Sequence, residues 1–144
     1  KSKINNQIRF ERNKLKLFQL KTYIKFNQEV NLVGKKLRET LKEIKEKGNK
    51  IIGYGAAAKT TTLTNYFKID KKYLDFIVDD NKLKQNLYTP KYKISIKNPK
   101  TIYKYKPHYT IILAWNYSSH IMKIHKKVKK FGKFIVPFPK IKIH

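Results

Sequence analysis

Residues 50–63 read KIIGYGAAAKTTTL. Ile51 and Ile52 begin a short buried strand. Gly53, Gly55 and Ala58 then form a Gly-x-Gly-x-x-Ala turn, and TTTLTNYF continues as a short helix with Leu63, Tyr66 and Phe67 facing inward. The physics of such a turn is plain. Gly55 permits a tight bend, three alanines keep the surface low, and the free amides at a helix start favour an anion. Lys59 adds positive charge at the same place. The same glycines and alanines would also serve simply to pack strand against helix. The turn therefore needs the rest of the chain to give it meaning.

Working outward, strand and helix alternate. Val30, Val33, Leu37, Leu41 and Ile44 make one apolar stripe, which predicts a helix over 28–47. Asn27 is its expected cap and Gly48 its left-handed stop. Downstream, YLDFIVDDN reads as a second strand ending in Asp79, Asp80 and Asn81. A turn-rich loop leads to an extended piece at 94–96, and NPKTIYKYKP reads as a short helix with Asn and Pro at its start. HYTIILAWN, rich in β-branched and aromatic residues, is the most strand-like segment. Ile121, Ile124, Val128 and Phe131 give a helix stripe capped by Ser118 or Ser119, and GKFIVPFP is a last strand. This order predicts an α/β protein, a Rossmann-like and mostly parallel sheet with helices on both faces. Residues 1–27 form an N-terminal helical lead-in, with Leu17, Leu20 and Ile24 at helical spacing, and residues 28–144 form the Rossmann-like domain.

The 144 residues suit one such domain, and a hydrophobic share of 40% with eight Phe, ten Tyr and one Trp argues against disorder. Absence of Cys excludes disulfides and thiolate metal sites. No apolar run approaches the ~20 residues of a membrane span. The chain opens on Lys1 rather than Met, which suggests a piece of something longer. The net charge of +26 points toward polyanions, but only Arg9, Arg12 and Arg38 among the 35 basic residues are Arg. Sequence-reading proteins lean on the bidentate fork of Arg. Lys spread over the whole chain, alongside many Ile and Asn, instead fits an AT-rich coding bias, with salt-sensitive, non-specific polyanion binding as a side effect.

In an open parallel sheet, ligands bind beyond the carboxyl ends of the strands. Here those ends carry Gly55 to Lys59, Asp79 to Asn81, Trp115-Asn116 and Pro137 to Pro139. Asp79 and Asp80 lie roughly 25 residues past Gly55, near where dinucleotide folds place a ribose-binding acid. They could equally be a solvated turn. Tyr88, Thr89 and Pro90 form an ordered turn with an aromatic able to stack on a base. Trp115 is either core or ligand contact. His108, His120, His125 and His144 lack a metal spacing, and no catalytic set can be read.

Four segments, GYGAAAK…TLTNY, DDNKLKQNLYTP, PHYTIILAWNY…IM and GKFIVPFP, occur together in order. They resemble the C-terminal domain of S-adenosylmethionine-dependent sugar C-methyltransferases over about residues 26–139. That resemblance implies a Rossmann-like domain facing a nucleotide-linked sugar across a cleft, in the cytoplasm. It also implies that S-adenosylmethionine, a structural zinc and the catalytic residues belong to upstream domains. The substrate-binding residues it implies are Tyr54, Gly55, Ala56, Lys59, Asn81, Tyr88, Thr89, Trp115 and Asn116. A stand-alone NAD- or nucleotide-binding domain and a basic nucleic-acid-binding module are the alternatives. The chain departs from the family pattern at Thr60, Asn86 and Lys91, where Gly is usual, and at Lys140, where Glu is usual. Lys91 matters most if its backbone needs positive φ.

Overall fold

A computed structural model describes residues 2–144. The chain divides into two compact units, Lys1–Leu32 and Val33–His144. The first holds helix α1 (Ser2–Arg9), a π-helical turn (Phe10–Lys14) and the beginning of α2 (Leu20–Glu46). The chain bends after the π turn, where Lys16 has φ +54° and the Thr22 hydroxyl donates to the Lys16 carbonyl at 2.8 Å. No residue of α1 is buried. Phe18, Leu20, Tyr23 and Phe26 are each more than half exposed. Asn27 does not cap a helix. It lies inside α2 and accepts from the Asn31 side chain at 2.7 Å, because no Gly or Pro interrupts the helix between Leu20 and Val33.

The second unit is built on one six-stranded sheet. Its strands are β1 (Ile51–Tyr54), β2 (Ile77–Val78), β3 (Ile96–Lys97), β4 (Tyr109–Ile112), β5 (Lys133–Val136) and β6 (Lys142–Ile143). Their order is β3-β2-β1-β4-β5-β6, the first five parallel and β6 antiparallel to β5. Helices α3 (Ala58–Tyr66), α4 (Thr101–Tyr105) and α5 (Ser118–Ile124) lie in the connections. The mostly parallel, Rossmann-like architecture is thus as expected, and the closing strand β6 is an addition. The strand order reverses between β1 and β4, which makes the carboxyl ends of these two strands the switch point.

Residues alternate across the strands. Ile52, Tyr54, Phe76, Val78, Ile112, Phe134 and Val136 form one core cluster with Ile102 of α4, Ile121 of α5 and Val128. The buried Leu37, Leu41 and Ile44 of α2 and Leu63 of α3 stand outside that cluster and cover the opposite face. Gly48 stops α2 with φ +73°, as its position predicts. At the foot of the sheet the Asp75 carboxylate takes the Lys45 ammonium at 2.8 Å, the Ile51 amide at 3.1 Å and the Tyr105 hydroxyl at 3.1 Å. One half-buried acid thereby ties α2, β1 and α4 together. Burial, reinforced by the Asp75 charge, pushes the Tyr105 phenol up.

Three local expectations are corrected. Tyr66 is 52% exposed and rests edge-on against Phe67, since Leu63 and Phe67 at i and i+4 already take the inward stripe. Ile124 is 57% exposed, because the helix ends at it and His125 turns inward in its place. Neither Ser118 nor Ser119 caps α5, which begins directly out of a 3-10 turn (Trp115–Tyr117) with no capping side chain.

One core residue works against stability. Thr110, within β4, is fully buried and its hydroxyl finds no partner among the described residues. Thr110→Val keeps the shape and removes the orphaned group, so it should raise stability by about 1 kcal/mol. Urea denaturation of the two proteins checks this, and a lowered midpoint would contradict it.

Candidate functional site

The site begins where β1 ends. Gly55 has φ +95°, and a Cβ there would stand 2.6 Å from the Ala114 side chain. Only glycine adopts that backbone while letting the ends of β1 and β4 approach so closely. The Tyr54 carbonyl accepts both the Leu113 amide at 2.9 Å and the Ala114 amide at 3.3 Å, which pins the junction. Thr60 is buried, and its hydroxyl donates to the Gly55 carbonyl at 2.6 Å. The departure from Gly at this position therefore closes the turn with a side chain.

The next residue, Ala56, is held on both sides. The Asp79 carboxylate accepts the Ala56 amide at 2.6 Å and the Asn81 amide at 2.8 Å. Lys84 donates to the Ala56 carbonyl at 3.0 Å and stands 3.9 Å from Asp79. Asp79 is thus buried structure, a strut between β2 and the glycine turn. Among the sequence-predicted residues, Tyr54, Gly55, Ala56, Lys59 and Trp115 come together. The Lys59 ammonium lies 5.1 Å over the Trp115 ring, and Trp115 packs on Phe138 with ring centres 5.0 Å apart. Phe138 in turn stacks on Phe67 at 5.9 Å. Asn116 is exposed beside Trp115. Asn81 caps the following 3-10 turn (Lys82–Lys84), its side chain accepting from the Leu83 amide at 3.0 Å.

Tyr88 and Thr89 sit elsewhere, in a hairpin outside β3 at the sheet edge. Tyr88 bridges Ser95 and is 64% exposed. Thr89 is buried, its backbone amide donating to the Ile94 carbonyl at 2.9 Å and its hydroxyl accepting the Ile94 amide at 3.0 Å. The same hairpin carries the two departures from Gly. Asn86 and Lys91 have φ of +65° and +63°, a conformation Asn tolerates and Lys adopts with strain.

Sequence reasoning missed one group. Behind the turn, Tyr54 donates its phenol proton to Asp80 at 2.8 Å and also meets His125 Nε2 at 2.8 Å. His125 Nδ1 meets the Tyr103 hydroxyl at 2.8 Å. With Asp80 ionised the order of protons is fixed. Tyr103 donates to Nδ1, Nε2–H donates to the Tyr54 oxygen, and Tyr54 donates to Asp80. Burial, then the hydrogen bond and charge of Asp80, push the Tyr54 phenol far above its ordinary range. Burial lowers the His125 imidazole, against the pull of Asp80. The only sequence signal was a His in place of an apolar residue within a helix stripe. Among the described residues no three His, Asp or Glu side chains gather as metal ligands. No described helix is long and apolar enough to cross a membrane.

The chain is similar to known proteins in sequence. The family profile of the C-methyltransferase C-terminal domain matches residues 1–139. The chain belongs to that family. It is similar to C-methyltransferase NovU of Streptomyces niveus, at 30% identity over 122 residues covering 84% of this chain. The matched part is 29% of that relative's length. Among solved structures it is similar to UDP-D-quinovosamine 4-dehydrogenase from Vibrio fischeri, with a TM-score of 0.43, 20% identity, 60% of this chain covered and 75% of that one.

Two predictions follow from the hydrogen bonds. Asp79→Ala leaves the Ala56 and Asn81 amides without their charged acceptor and should cost about 2–3 kcal/mol; denaturant unfolding measures it, and a cost near zero would dismiss the strut. The second concerns pH. His125 is held neutral in the fold, so its contribution is intact above the unfolded value of ~6.5 and is lost as pH falls below it toward the lowered folded value. Stability should fall as pH drops below about 6.5, and His125→Gln should flatten that slope. An unchanged slope in the variant would refute the assignment.

Proposed function

We propose that this chain is the substrate-side domain of a sugar C-methyltransferase, that it binds the nucleotide-linked sugar, and that it does not itself hold the methyl donor. The observation carrying this reading is the occupancy of the glycine turn. A dinucleotide cradle offers its turn amides to a pyrophosphate. Here the Ala56 amide is already taken by the Asp79 carboxylate, whose charge opposes a second anion at the same place. That counts against NAD and against S-adenosylmethionine lying across the turn.

What is left for a ligand is narrower. At the start of α3 the Thr60 and Thr61 amides are taken by the Ala57 carbonyl at 2.9 and 3.4 Å, which leaves those of Ala58 and Lys59 to face a ligand. Lys59 stands beside them, over Trp115, with Asn116 exposed next to it. An anion at the start of α3 and a flat or sugar ring against Trp115 suit a phosphate-linked sugar. Lys59 is the charge partner for the phosphate, and Trp115 and Asn116 supply apolar contact and hydrogen bonds. Tyr88 is left for a more distant part of the ligand. The remaining chemistry, including base catalysis and methyl transfer, would come from upstream domains with S-adenosylmethionine and zinc. The exposed Phe18, Leu20, Phe26 and Leu32 of the first unit supply apolar surface for docking onto them, and the cytoplasm is the expected compartment.

Calorimetric titration with a thymidine-diphosphate-linked deoxysugar tests the reading. Lys59→Ala should weaken binding about tenfold through loss of one charge-assisted contact. Tight binding of S-adenosylmethionine by this chain alone, or equal sugar-nucleotide affinity in the variant, would overturn it.

A further inference from the structure

The opposite edge of the same sheet holds a second concentration of chemistry. Residues 126–133 read KKVKKFGK, five lysines in eight positions. They form a 3-10 turn (Lys126–Lys130) that feeds directly into β5. Beside the amino ends of β4 and β5 lies an open hollow of about 400 Å³. Lys129, Lys130 and Lys133 line it, together with Asn49 and His108, and the rings of Tyr109 and Phe131 complete the wall.

Three features make the hollow more than a patch of surface lysines. Gly132, which also lines it, lies so close to the segment leading into β4 that a Cβ would stand 2.3 Å from the Pro107 carbonyl oxygen and 3.0 Å from that of His108. The lysine-bearing turn is therefore locked against the sheet. The His108 ring is fixed as well, since its Nδ1 accepts the Lys50 amide at 2.9 Å. The remaining ring nitrogen, Nε2, must then carry the proton and act as a donor. Finally, no carboxylate lines the hollow, and among the described residues the ion pairs use Lys25, Lys35, Lys42, Lys45 and Lys84, none of these three. Three lysines with no ion-pair partner among the described residues therefore line the same hollow as one fixed donor, and a bound polyanion would relieve the repulsion between their charges.

We propose that this hollow is a binding site for an oligophosphate chain, separate from the sugar-nucleotide site at the other edge of the sheet. The lysines and His108 supply donors and positive charge to successive phosphates. Tyr109 and Phe131 offer a planar contact if the chain carries a base.

The test is a two-dimensional NMR titration of the 144-residue protein with inorganic tripolyphosphate and, separately, ATP, in about 0.15 M salt so that diffuse attraction is screened. Shifts should concentrate at Asn49, His108 and residues 129–133. K129A/K133A should weaken binding roughly tenfold, by loss of two charge contacts. The exposed pair changed in K71A/K72A should not matter. Tighter binding of ATP than of tripolyphosphate would assign the aromatic wall to a base, and equal binding would assign the site to the phosphate chain alone. Shifts spread over lysines throughout the chain, or equal loss in both double variants, would overturn the proposal and leave only a basic coat. A variant that unfolds would be seen in its own spectrum, and Lys130→Ala, on the exposed turn, then replaces it.

Discussion

The contact between Gly55 and Ala114 sets the geometry of everything around it. Two parallel strands can end side by side without their following loops touching. Here the loops are forced together at the point where strand order reverses, and the Cβ that would forbid this is missing. Once the two chains meet, their exits are determined. One turns into α3 on one face, and the other turns through Trp115 toward α5 on the other. Lys59 and Trp115 become neighbours because their backbones have already been brought within a side chain's length.

Such closeness leaves polar backbone that must be satisfied. The turn meets the requirement with side chains from three directions. Thr60 takes the Gly55 carbonyl, Asp79 the Ala56 amide and Lys84 the Ala56 carbonyl. The consequence is functional as well as structural. A glycine turn with free amides is a general anion cradle, whereas a turn whose central peptide is clamped is a rigid corner with fewer donors to offer. The same residues that stabilise the corner therefore reduce the donors that the turn presents.

Much of this was legible in the sequence because it depends on period and punctuation. The alternation of apolar runs gave the sheet and its faces, and the strand ends placed Gly55, Asp79, Trp115 and Phe138 on one edge. Other features were beyond that kind of reading. The hydroxyl of Thr60 looked like a loss of glycine, yet it is a bond to a carbonyl five residues back. Asp79 and Asp80 are adjacent and chemically identical, but alternation sends one to the turn and the other to Tyr54. His125 was hidden for a related reason. A helix stripe predicts which face is buried, and the unwinding after Ile124 shifted that face by one residue, burying a histidine and exposing an isoleucine. The N-terminal helices lacked the Gly or Pro that would have fixed where α2 starts.

In a chain drenched in lysine, the acids are the more informative residues. There are nine of them against 35 basic residues. Glu29, Glu39 and Glu46 stand one turn from Lys25, Lys35 and Lys42 along α2, in exposed pairs each worth a few tenths of a kcal/mol. The aspartates do different work. Asp70 accepts a local amide, Asp75 joins a helix, a strand and a tyrosine, Asp79 holds the glycine turn, and Asp80 terminates the chain of hydroxyls through His125. A surface lysine can stand almost anywhere at little energetic consequence, so its position says little. A short carboxylate next to backbone amides or phenols is costly to bury unless the acceptor is needed there. That asymmetry explains why two adjacent aspartates at the end of β2, rather than the charge total, mark the structural centre of the candidate site. It also explains what sets the hollow at the foot of β5 apart: it is a fixed, lysine-lined recess with no carboxylate in its wall.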